Sequence, residues 1–385
     1  MKKNIFSGFY LCAALSVSAA AQVQVVSKTP YGPIADMNAA RAIAATFSRP
    51  MAALSSAEKM GEACPLEVFE IKDALTAENY RDFSSAALEN FKDIKPVEGR
   101  CRWQGTQTVS FEPAAPLKTA VLYVGRIKKG FSAVGQTLEE DAEWFFETTR
   151  PALKESAPHN DQRWLPLDTV LYAAFTMPMS SSRARDMIKL EETAPDGGVK
   201  EVLIGVRLAK EEEIKKIWPH PWQNISTGTV LAVRPAAKLK PDHAYALRFG
   251  AGLTAAEGSL GLTEERVINF ESWYTFRLKE FPKDACLPDS FSLGFSNPVK
   301  YSELYKRMLV SPFTAMPPLT PGAANDDGYQ DDNKRTSYLS LPQGMFKPDT
   351  LYNFKISPEL TDIFGNKLGE AADFQLGPMA YCPYW

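Results

Sequence analysis

Four cysteines, three histidines and one acidic loop hold most of the side chains of this sequence from which chemistry would be expected. Cys64, Cys101, Cys286 and Cys382 remain once Cys12, inside an apolar N-terminal run, is set aside. No two of them stand at Cys-x-x-Cys spacing, and His159, His220 and His243 are scattered through Pro-rich or turn contexts, so no zinc site is expected. An even cysteine count in an exported chain instead points to disulfides, and four cysteines allow three connectivities. The loop Asn325 to Asn333, NDDGYQDDN, is rich in oxygen ligands of the kind that hold Ca²⁺. Its spacing is not that of an EF-hand and no Glu follows at the right distance, so a solvated hairpin loop is the expectation. There is no Gly-x-Ser-x-Gly elbow, no Gly-Lys-Ser/Thr phosphate loop and no His-Glu-x-x-His. Glu139-Glu140 sits in a polar turn. Neither enzymatic activity nor a cofactor is expected.

The setting for these residues is an exported chain. Lys2 and Lys3 precede an apolar run, Ile5 to Val17, and Ala19-Ala20-Ala21 before Gln22 offers a small-residue cleavage pattern. The run is too short to span a membrane, and no later run is longer. Leu11 before Cys12 disfavours lipidation. Residues 1–21 therefore read as a cleavable signal peptide, with a periplasmic or secreted destination. A net charge of −3 and the lack of a basic cluster argue against a nucleic-acid partner. The 28 prolines and 23 glycines among 385 residues suit many short strands punctuated by turns.

The elements that must position the cysteines are written three times. Pro113 to Ile127 (PAAPLKTAVLYVGRI), Pro235 to Phe249 (PAAKLKPDHAYALRF) and Pro342 to Ile356 (PQGMFKPDTLYNFKI) share one pattern. A Pro stops an alternating strand because it has no N–H for the ladder. Leu117, Leu239 or Phe346 then turns under the sheet. Tyr123, Tyr245 or Tyr352 opens a new strand. A tyrosine placed so, its hydroxyl bonded to backbone a few residues upstream, is the tyrosine corner of immunoglobulin-like sandwiches. Each repeat also begins with Phe-x-x-Pro-Met/Val, at Phe47, Phe175 and Phe295. Strict period-two sets lead into it: Ile43/Ala45/Phe47, Leu171/Ala173/Phe175 and Phe291/Leu293/Phe295. A Gly turn and a last aromatic strand close each copy, at Gly135, Gly258 and Gly365.

Successive corner tyrosines are 122 and 107 residues apart, the size of a β-sandwich domain. The expected fold is all-β, with three tandem immunoglobulin-like or fibronectin-III-like sandwiches at 22–150, 151–281 and 282–385. Two cysteines fall in the first repeat and two in the third, so Cys64–Cys101 and Cys286–Cys382 is the natural pairing. Each bridge would contribute about 3–5 kcal/mol in the chain-entropy picture. The middle repeat carries an insertion, Lys210 to Trp218 (KEEEIKKIW), that reads as a short helix. Glu211/Lys215 and Glu212/Lys216 are i,i+4 pairs, and Ile214, Ile217 and Trp218 share one side. A surface helix capping a sandwich edge is expected; an exposed contact patch from Trp218 to Trp222 is the alternative.

Together, the Phe-x-x-Pro-Met/Val opening, the Leu-Lys-Pro-x-x-x-Tyr corner and the Gly-Asn-x-Leu turn resemble bacterial S-layer-type Ig-like repeats. They resemble still more closely the N-terminal region of bacterial alpha-2-macroglobulins. Phe295-Ser-Asn-Pro-Val299 and Gly250 to Gly258 (GAGLTAAEG) are the most suggestive pieces. The resemblance implies an exported protease inhibitor that traps its target through a bait segment and a Cys-x-Glu-Gln thioester. Neither feature is present in this sequence, so no trapping residue carries over. It further implies a protein partner, either a protease or the remaining part of an inhibitor. A cell-surface or secreted adhesion protein is the other expectation.

Overall fold

The computed structural model describes residues 22–53, 64–71, 95–281, 291–314, 338–341, 345–378 and 380–381. Residues 1–21, Cys286, Cys382 and the acidic loop at 325–333 lie outside these. The architecture is all-β and multidomain, in two compact units, Met1–Thr149 and Arg150–Trp385.

The first unit contains β1 (Val25–Thr29), β2 (Gly32–Pro33), β3 (Ile43–Phe47), β4 (Leu66–Ile71) and β5 (Gly99–Gln104). β6 (Thr108–Pro113), β7 (Leu122–Ile127), the small β8 (Ser132–Ala133) and β9 (Gln136–Thr137) hairpin and β10 (Ala142–Glu147) follow. Two four-stranded sheets result, ordered β1-β3-β6-β5 and β2-β10-β7-β4. They enclose one core: Ile43, Ala45, Phe47, Val109 and Phe111 from the first meet Leu66, Val68, Tyr123, Trp144 and Phe146 from the second. Period-two alternation places these apolar residues inward. β7 is buried nearly throughout. Gly125 is required there because a Cβ would meet the Trp144 ring at 2.5 Å.

The second unit opens with β11 (Leu153–Ala157), β12 (Gln162–Leu165), β13 (Leu171–Phe175) and a four-residue α1 (Ser181–Ala184). β14 (Ile188–Thr193), β15 (Val199–Val202), β16 (Ile204–Leu208) and α2 (Glu211–Ile217) follow, then β17 (Val230–Pro235), β18 (Ala244–Phe249) and β19 (Arg266–Ser272). Their sheets are ordered β11-β13-β17-β16 and β12-β19-β18-β14-β15. Phe175 and Phe249 join the two, edge to face at 5.6 Å. The chain switches sheets at Leu203, between β15 and β16. The remainder holds β20 (Leu278–Glu280), β21 (Phe291–Phe295), α3 (Tyr301–Arg307) and β22 (Met308–Ser311). It ends with β23 (Tyr338–Leu341), β24 (Tyr352–Ile356) and β25 (Ala372–Leu376). Two three-stranded sheets, β20-β21-β23 and β22-β24-β25, share a core of Phe291, Leu293, Phe295, Tyr352, Phe354 and Phe374.

Candidate functional site

Three corners are built on one plan. The hydroxyl of Tyr123 accepts from the Lys118 N–H at 3.0 Å, that of Tyr245 from the Lys240 N–H at 2.8 Å, and that of Tyr352 from the Lys347 N–H at 3.0 Å. Each bond spans five residues. The tyrosines are only 1, 2 and 3% exposed, and Leu117, Leu239 and Phe346 are buried beneath the turns. Each ring packs on an aromatic neighbour. Tyr123 stacks on Phe146 at 5.5 Å, Tyr245 on Phe270 at 5.3 Å, and Tyr352 meets Phe346 edge-on at 5.0 Å.

Two corners carry a carboxylate that the sequence pattern did not single out. Glu70 and Glu192 stand opposite Tyr123 and Tyr245 on the neighbouring strands. Lys118 Nζ lies 3.0 Å from Glu70 Oε1, and Lys240 Nζ 2.6 Å from Glu192 Oε1. Both Glu–Lys pairs are 48 residues apart, and that constant separation was the available signal. In the middle corner the Tyr245 hydroxyl also donates to Glu192 Oε2 at 3.2 Å, and His243 Nε2 lies 3.8 Å from Glu192 Oε1. Burial pushes the Glu192 carboxyl up, but the hydrogen bond and charge of Lys240 outweigh it and hold the group below the usual carboxylate range. Burial pushes the hydroxyls of Tyr123 and Tyr245 up to about 12. A neutral, buried tyrosine locked in a turn is poorly suited to proton transfer near neutrality.

The Phe-x-x-Pro motif hides a second recurring contact. Its second residue clamps the incoming chain in every repeat. Ser48 Oγ accepts from Gln24 N at 3.1 Å, Thr176 Oγ1 from Ala152 N at 3.1 Å and Ser296 Oγ from Arg277 N at 2.9 Å. The backbone N–H of the same residue returns the bond to the carbonyl of the same partner. Cys64 and Cys101 form a disulfide with Cα atoms 5.1 Å apart. Cys64 precedes β4 and Cys101 lies in β5, so the bridge ties the two sheets of the first unit along one side. Cys286 and Cys382, the other expected pair, lie outside the described residues.

No protein-family model matches the chain, and no curated protein matches it. Among solved structures it is similar to the N-terminal part of the bacterial S-layer protein SbsC, at 10% identity and a TM-score of 0.20 over 66% of this chain. That match spans only 45% of the S-layer structure. It is also similar to native alpha-2-macroglobulin from Escherichia coli spanning domains MG0-NIE-MG1, at 10% identity and a TM-score of 0.20, covering 93% of this chain and 97% of that one. A third is the FN1–FN3 region of chicken CNTN1, at 11% identity and a TM-score of 0.22, covering 92% and 96%. The fold assignment rests on the sheets and registers described above.

The insertion in the middle repeat packs rather than projects. Trp218 is 7% exposed and, with Ile214 and Ala209, covers Ala174, Val230 and Ala232 on the outer face of the β13–β17 sheet. Glu213 fastens α2 there. It accepts from Lys210 N at 2.8 Å, from the Arg207 guanidinium at 2.5 and 2.8 Å, and from the Tyr172 hydroxyl at 3.2 Å. The Arg207 hydrogen bonds pull its carboxyl down to about 2. Among the described residues no three His, Cys, Asp or Glu side chains gather into a metal site. Nor is any described helix long and apolar enough to cross a membrane.

Proposed function

We propose that this chain is an exported, non-catalytic scaffold whose repeats, at 22–150, 151–281 and 282–385, present surface to a protein partner. The partner is a protease, or the remaining part of an inhibitor of the alpha-2-macroglobulin type. The observation that carries this reading is the corner used three times. Its buried tyrosines, each bonded five residues back, serve to hold sandwich turns. The signal-peptide pattern and the resemblance of the motif set support export and the inhibitor class.

Purified protein mixed with endopeptidases of differing specificity is expected to form a complex with one of them, or to protect it. A tagged chain expressed in its own host should otherwise recover the remaining inhibitor chain from periplasmic extract. Neither complex, nor protection, nor a co-purified inhibitor chain would sink the inhibitor reading.

One observation favours the adhesion reading. β15 and β16 are edge strands of the two sheets of the middle sandwich; Leu203 between them is 80% exposed, and Val199 at the other end of β15 is 61% exposed. The outer edge of β15 offers itself to strand addition, whereas β16 has α1 packed against it. Binding to cell-wall glycan or to a surface protein, lost in Leu203→Lys and without effect on proteases, would favour it.

A further inference from the structure

Within the second unit, five residues, Trp273 to Arg277, connect β19 to β20. A free linker would leave its backbone to water, yet the N–H and C=O of Trp273, Tyr274 and Thr275 are all bonded to protein. Trp273 N donates to Leu165 O at 3.1 Å, and Trp273 O accepts from Asp242 N at 3.0 Å. Thr275 N donates to Asp242 Oδ1 at 3.0 Å, and Thr275 O accepts from Ser296 Oγ at 2.8 Å. Tyr274 between them is held by the Asn297 amide, which accepts from its N–H at 2.9 Å and donates to its carbonyl at 2.6 Å. Partners from the preceding sandwich, Leu165 and Asp242, thus alternate with partners from the following one, Asn297 and Ser296. A side-chain amide is doing here what a neighbouring strand would do.

Asn297 is fully buried and its Nδ2 also donates to Asp362 Oδ2 at 2.7 Å. Asp362 is itself fixed, accepting from the N–H groups of Phe364 and Asn366 at 2.9 and 2.8 Å. Phe364, from that same turn, packs against the Trp273 ring at 4.8 Å. On the other side Trp164 reaches across, its indole N–H donating to Ser296 O at 2.9 Å. It does so from a left-handed backbone conformation, φ +58°, where the β12–β19 register slips. That conformation is strained for a bulky residue and persists only where its surroundings enforce it. Of the three Phe-Ser/Thr-x-Pro motifs, only the third has an amide at x; Arg49 and Met177 stand at the others.

We propose that Trp273–Thr275 is a rigid strap, that Asn297 is its positioning residue, and that the sandwiches on either side of it move and open as one body. A partner touching both then meets a surface already arranged, with no inter-sandwich freedom to lose on binding. The inference stands on the junction alone and does not depend on the identity of the partner.

Hydrogen–deuterium exchange on the full chain tests it. In the wild type the amides of Tyr274, Thr275 and Arg277 should be protected to the level of the β18 and β24 strands, as members of one cooperative unit. Exchange at linker rates would overturn the proposal without any variant. Asn297→Ala removes both of its hydrogen bonds to Tyr274 and should speed exchange in the strap roughly ten-fold or more. β18 should stay protected. A strap as slow as wild type in that variant would remove Asn297 from its role. Should Asn297→Ala not fold, Trp164→Phe keeps an aromatic ring, smaller than the indole, but deletes the N–H donor to Ser296 O, and is expected to loosen the strap several-fold while β18 holds. Unchanged strap protection there would count against the lock.

Discussion

At the residue scale the corner tyrosines are separable by what else their hydroxyls touch. Tyr245→Phe leaves the Lys240 N–H without its acceptor and deprives Glu192 of a donor, whereas Tyr352→Phe removes the bond from the Lys347 N–H. We expect about 1–3 kcal/mol for the first in urea unfolding and about 1 kcal/mol for the second. Equal costs would mean that Glu192 contributes nothing. The pH dependence has a definite sign. Tyr245 titrates near 12 in the fold against 10 when free, so the fold favours its neutral form. Its contribution is fully present below pH 10 and is lost as pH rises through 12, and Tyr245→Phe should flatten that alkaline limb. The tyrosines were legible in the sequence because the corner is local, five residues from donor to acceptor. Glu70 and Glu192 were not, because a cross-strand partner depends on register between segments far apart in the chain. Trp164 escaped notice for a similar reason. Its left-handed backbone is imposed by the surrounding contacts and has no signature of its own.

At the element scale α2 shows how far periodicity reaches. The spacing of Ile214, Ile217 and Trp218 identified an apolar side, and the Glu211–Lys215 pair forms at 2.6 Å. Which sheet that side covers was invisible, since it follows from β13 and β17 carrying apolar residues on both faces. Trp218→Ala should therefore cost about 3–5 kcal/mol, as for a core aromatic, and calorimetry would reveal it. A cost below about 1 kcal/mol would return Trp218 to the surface. Docking of α2 should also weaken in acid. Glu213 is depressed from 4.5 to about 2, so its contribution is present above pH 4.5 and fades as pH falls through 2. Glu213→Gln should remove that acid dependence; a variant as acid-sensitive as the wild type would refute the link.

At the scale of the whole molecule, both compact units share the tyrosine corner, and the disulfide among the described residues belongs to the first. In the first, the Cys64–Cys101 bridge closes a loop 37 residues apart in sequence. Replacing both cysteines with Ser should destabilise that unit by about 4 kcal/mol in the chain-entropy account, with the melting of the second unit unchanged. A loss shared by both units would show that they unfold together.

The same bridge has a consequence for survival among peptidases. A single backbone cut anywhere between positions 64 and 101 yields two pieces that stay tethered through sulfur. Such a nicked molecule would run as one band on an unreduced gel and as two after a thiol is added, so damage there need not mean dissociation.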